Sequence, residues 1–92
     1  MIQVKEIPDY VKSRIKSYNY LIDSLQDFSD SKEWFTAKSN ELYLDVFEDR
    51  KVISELRASV IAKPVDDFLK NLEKSMNYAV SFFRDFKIIK GF

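Results

Sequence analysis

The sequence predicts an all-α fold, a small bundle of three or four helices completed by dimerisation. Three observations carry this expectation. Apolar residues recur at alternating spacings of three and four along most of the chain, the period of an amphipathic helix. One glycine and two prolines in 92 residues leave too little turn chemistry for a β-rich domain. Eight Phe, five Tyr and one Trp supply large apolar area for a single core, and a chain this short has room for only one. The whole of 1–92 therefore reads as one helical domain.

Residues 1–7 form a lead-in. Ile2 and Val4 alternate with polar residues, but no partner strand is evident, so an extended segment with Ile7 packed near helix 1 is expected. Helix 1 is expected over 8–28. Val11, Ile15, Tyr18, Ile22 and Leu25 make its seam, widened by Leu21 and Phe28. Pro8 suits the first turn, where a missing N–H costs nothing. Tyr20 falls off the seam by about half a turn and is assigned to the surface or to a contact with another chain. Ser29–Glu33 is a short polar connector in which Asp30 and Glu33 have the spacing of a capping box. A link so short predicts an antiparallel pair.

Helix 2 is expected over 31–63. No glycine or proline interrupts it, and Phe35, Leu42, Val46, Ile53, Leu56 and Val60 keep one phase, with Ser39 and Asp49 as polar interruptions. Such a helix would be about 50 Å long, whereas a compact domain of this size has a radius of gyration of about 12 Å. Either the helix breaks, at Lys38-Ser39-Asn40 where a second cap fits, or another molecule covers the overhang; the break is the favoured reading. Leu42–Phe47 packs five apolar residues into six positions, more than one helical face holds, which points to burial on more than one side. At Ala62-Lys63-Pro64 a sharp bend without a loop is expected, because proline disfavours a helical residue before it.

The last helix is expected over 64–90. Val65, Leu69, Leu72, Met76, Ala79, Phe83 and Phe86 form an unbroken seam. Asp66 and Asp67 sit at the positive end of its dipole, and Arg84, Lys87 and Lys90 at the negative end. Gly91 is placed to take the left-handed conformation that closes a helix, with Phe92 folding back onto the last turn.

Fifteen basic and fifteen acidic residues cancel, so no bulk field draws the chain towards nucleic acid or a membrane surface. Without cysteine there are no disulfides, zinc–thiolate sites or thiol chemistry. Without histidine the commonest general base and transition-metal ligand are missing, and an enzyme is not expected. Glu41, Asp45, Glu48 and Asp49 put four carboxylates near one helical face; the reading is a solvated acidic face with no metal. Asp23-Ser24-Leu25 spells the tripeptide that bears the phosphopantetheine arm in acyl carrier proteins. There the serine opens a helix of a strongly acidic domain; here it lies inside helix 1 of a neutral one, and no cofactor is expected. No apolar run reaches the roughly 20 residues of a membrane span. The N-terminus has no signal-peptide character, so a cytoplasmic protein (in the host cytoplasm, if viral) is expected.

What remains is surplus apolar surface. Tyr78, Phe82, Phe86 and Ile89 make a second stripe on the last helix. With Phe92, Tyr43 and Phe47 they are the candidate interaction surface, since large exposed apolar patches mark contact sites. The charge along 31–63 is polarised, acidic to Asp49 and basic from Arg50, so antiparallel pairing of two copies would set acid half against basic half. The expected function is contact between proteins, of an accessory, regulatory or inhibitor kind, with a second copy in a homodimer as the first partner and another protein as the second. The alternative is a nucleic-acid-binding regulator using Lys70, Lys74, Arg84, Lys87 and Lys90 of the last helix, a reading the interleaved acids disfavour.

Overall fold

A computed structural model describes residues 2–28, 30–59 and 61–92. Among them the architecture is all-α: a single 3-10 turn, Val4–Glu6, leads into α1 (Ile7–Asp27), α2 (Lys32–Arg57) and α3 (Lys63–Lys90). The helices run up, down and up, so α1 and α3 are parallel neighbours and share the most extensive interface. Lys90 at the end of α3 accordingly lies 3.5 Å from Asp30, just past the end of α1.

Each helix starts and stops for a local reason. The lead-in is wound rather than extended, and Ile7 is the fully buried first residue of α1. The cap of α2 is Ser31 rather than Asp30: its Oγ accepts the Trp34 N–H at 3.1 Å, which satisfies one of the donors a helix start leaves unpaired. At the far end of α3, Gly91 adopts φ +71°. The Phe92 N–H then donates to the Lys87 carbonyl at 3.1 Å, the six-to-one bond of a Schellman closure. Phe92 folds back as expected, its ring 6.4 Å from Phe86 and 5.4 Å from Phe35.

α2 departs from the sequence expectation at three points. It does not break at 39–40: Ser39 is buried in the middle of a continuous helix. It stops at Arg57 rather than Lys63, and a connection over 58–62 replaces the sharp bend. Lys63 is itself helical, because the first turn of α3 is anchored one residue earlier, where the Val65 and Asp66 N–H groups donate to the Ala62 carbonyl. The expected seam residue Val60, like Ser29 of the connector and Met1 of the lead-in, lies outside the described residues. A helix of this length needs a break only inside a round globule. The bundle is instead prolate, 45 × 19 × 19 Å with a radius of gyration of 14.6 Å, and a 26-residue α2 of about 39 Å fits within it.

The core runs the length of the bundle. Ile7, Val11, Ile53, Leu69 and Leu72 fill one end, and Tyr18, Leu42, Val46, Met76 and Ala79 the middle. At the other end Phe35 stacks on Phe83 and Phe86 at centroid distances of 5.7 and 5.5 Å. Among the described residues no helix is long and apolar enough to cross a membrane.

Candidate interaction surface

The inner side of α2 carries a buried polar cluster. Tyr10, Arg14 and Tyr18 follow one another at single-turn spacing on α1 and converge on Asp49 of α2. Arg14 Nε donates to Asp49 Oδ2 at 2.7 Å, the Tyr18 hydroxyl donates to the same oxygen, and the Tyr10 hydroxyl donates to Oδ1. Arg14 also reaches Asp45 at 3.5 Å and lies over the Tyr18 ring. Burial, and then the hydrogen bond to Asp49, pushes both tyrosine hydroxyls well above the ordinary phenol value. Burial works against the Arg14 charge, but the Asp49 hydrogen bond and charge outweigh it and hold the guanidinium protonated.

This cluster corrects the reading of a four-carboxylate solvated face. Asp49 is 3% exposed, both its oxygens are taken up by α1, and Asp45 turns the same way. Only Glu41 and Glu48 remain exposed. Among the described residues no group of three or more His, Cys, Asp and Glu side chains is placed to hold a metal. Neither Tyr10 nor Arg14 lies on the apolar seam that the sequence shows for helix 1. A signal for them exists: Tyr10 with Asp49, and Arg14 with Asp45, are symmetric about the connector, as pairs across an antiparallel hairpin must be. Ser24 is equally closed off, being buried with its hydroxyl donating to the Tyr20 carbonyl at 2.8 Å.

The seven candidate contact residues fall into three groups. Phe86 and Phe92 are half-buried and close the phenyl cluster around Phe35. Tyr78 is exposed and leans on half-buried Phe82 at 6.1 Å, with exposed Ile89 about three turns further along α3. Tyr43 and Phe47 lie on α2 instead. Besides the phenyl stack, α3 makes polar contact with α2 through Asn77, Glu73 and Asp66, facing Arg50 and Arg57; Tyr78 is rotated about 100° from Asn77 and belongs to another face. The basic residues of α3 are interleaved with acids: Lys70 pairs with Asp66 at 3.1 Å and Lys90 with Asp30.

A second exposed apolar group, besides Tyr78, Ile88 and Ile89 of α3, is on α2. Tyr43, Leu44 and Phe47 are 45, 67 and 57% exposed, half a turn from the core residues Leu42 and Val46. Lys51 folds its ammonium to 4.6 Å above the Phe47 ring. The Leu42–Phe47 crowding read from the sequence thus resolves into two faces, one in the core and one outside. Part of the lengthwise charge polarity of α2 is consumed within the chain, Asp45 and Asp49 by Arg14, and Arg57 by Asp66 and Glu73 at 3.3 and 3.5 Å.

An open apolar recess of about 770 Å³ sits at the base of the bundle between Ile2, Val4, Val52, Leu56 and Ile61. Compared with protein-family models, with curated proteins and with solved structures, the chain gives no match.

Proposed function

We propose that this protein works through protein–protein contact, and that its first contact is with a second copy of itself through the outer face of α2. The observation that carries the reading is the Tyr43–Leu44–Phe47 row, three large apolar side chains within five residues, all facing water. At these exposures they present on the order of 300 Å² of apolar surface per copy, and water is expelled from such a patch when it is covered. A standard interface takes about 800 Å² from each partner. The row therefore supplies the centre of a contact, and the polar residues along the same face supply its rim. The role is that of an accessory, regulatory or inhibitor protein, whose paired form presents α3, with Tyr78 and Ile89, on its outer surface.

The test is solution mass against concentration, by light scattering or sedimentation, for the native chain and for Leu44→Glu. The native chain should be a dimer at micromolar concentration. Leu44→Glu should be a monomer with unchanged helical dichroism, because Leu44 takes no part in the core. A native chain that stays monomeric to millimolar concentration sinks the reading.

A further inference from the structure

We infer that two copies pair with their α2 helices parallel, along a heptad seam on the outer face; this rests on the self-contact reading above. Ala37, Asn40, Leu44, Phe47, Lys51 and Ser54 are all exposed and follow one another at spacings of three, four, three, four and three. That is the a and d pattern of a coiled coil, with Leu44 at a and Phe47 at d in the middle. The seam lies opposite the core-facing residues Phe35, Leu42, Val46 and Ile53, so the same helix can serve both the bundle and a partner.

The flanks of the seam decide its direction. On one side lie Glu41, Glu48 and Glu55, seven residues apart and all exposed; on the other lie Thr36, Tyr43 and Arg50, also seven apart and exposed. In a parallel pair each residue of the second flank meets the residue five places on in the other copy, as g meets e in a heptad. Thr36 then faces Glu41 of the second copy, Tyr43 faces Glu48, and Arg50 faces Glu55. Every carboxylate receives a hydroxyl or a guanidinium, and twofold symmetry repeats each pair. In an antiparallel pair like flank meets like flank, which sets Glu41 against Glu48 of the second copy with no cation between them. Of the charges that would favour antiparallel pairing, Asp45, Asp49 and Arg57 are already bound within the bundle. Asn40 meets Asn40 of the second copy, and such a polar pair among apolar neighbours favours one alignment. Lys51 meets Lys51, a like-charge contact that the long stems relieve by carrying the ammonium groups, as over the Phe47 ring, out to water.

Existing contacts of the flanking residues are weak enough to be exchanged. Arg50 reaches Asn77 at 3.4 Å and Glu41 reaches Lys38 at 3.1 Å, both on the surface. The Thr36 hydroxyl donates to the Lys32 carbonyl at 2.9 Å, also on the surface, and turns from it to reach Glu41 of the second copy.

Two experiments read the orientation. Glu55→Arg and Arg50→Glu should each raise the dimer dissociation constant on the order of tenfold, since two attractive pairs become repulsive. The double variant should return it to near the native value. The chain has no cysteine, so Asn40→Cys and Ser54→Cys each introduce one thiol. In the parallel seam position 40 meets position 40, and position 54 meets position 54, within the reach of a disulfide, so both variants should oxidise to covalent dimers. A native dimer whose affinity ignores the charge reversals overturns the parallel seam and leaves self-contact standing. So does one in which neither thiol variant cross-links while a mixture of Asn40→Cys and Lys51→Cys does. A native chain that is monomeric at every concentration overturns both.

Discussion

Arg14 Nε lies 2.7 Å from Oδ2 of Asp49, joining a guanidinium on α1 to a carboxylate that is only 3% exposed on α2. The pair is completed by two tyrosine hydroxyls, so the carboxylate has protein donors where water would otherwise sit. A buried charge is tolerable only with such partners. The cluster is also the main polar link, among the described residues, between the two helices that approach each other least closely of the three pairs.

Removing one partner should therefore be costly. Arg14→Ala leaves the Asp49 carboxylate buried and uncompensated, and a loss of about 3–5 kcal/mol is expected in denaturant unfolding. Tyr20→Ala, at a side chain 69% exposed on the same helix, should change stability by less than about 0.5 kcal/mol. Equal effects of the two would mean that the cluster is not what holds α1 to α2.

Alkali should act through the same cluster. The Tyr10 and Tyr18 hydroxyls have folded-state values raised by burial and by Asp49. The folded state therefore holds these protons more tightly than the unfolded chain, whose tyrosines titrate near pH 10. Their contribution is fully present below about pH 10 and falls as pH rises above it towards the folded-state values. Helical dichroism followed against pH should show a cooperative loss in that range. In Tyr18→Phe, which removes one of the two groups, stability should fall less steeply with pH over the same interval, even though the variant starts from a lower value at neutral pH.

Ser39 offers the opposite case. Its side chain is buried and its hydroxyl has no hydrogen-bond partner among the described residues, beside a small cavity of about 130 Å³. Ser39→Ala removes a desolvated polar group and substitutes the best helix former. The variant should gain about 0.5–2 kcal/mol in thermal or denaturant unfolding. A loss instead would mean that an ordered water in that cavity satisfies the hydroxyl.

Local chemistry made much of the fold legible. The seam of α3 from Leu69 to Phe83, the proline near each of two helix starts and the glycine after Lys90 act within a few residues of themselves. A pattern of this range can be read before any partner is known. The seam of α1 is legible for the same reason, down to Tyr18 as a core residue and Tyr20 as a surface one. The end of α2 was not. Nothing in the sequence stops a helix at Arg57; the stop comes from where the chain must reverse for α3 to pack back along α1 and α2.

By itself, then, the sequence determined the helical class, the inner faces of α1 and α3, and the surplus of apolar surface, because helical periodicity and capping are short-range physics. Only the tertiary structure decided what each charge is for. Asp49 and Glu48 are neighbours of the same sign and chemistry, and one is buried under Tyr10, Arg14 and Tyr18 while the other lies in water. The difference is about 100° of rotation on α2, and it takes on meaning only once α1 is packed against one side of that helix. The same packing sends Leu42 and Val46 inward, and it leaves Tyr43, Leu44 and Phe47 outside.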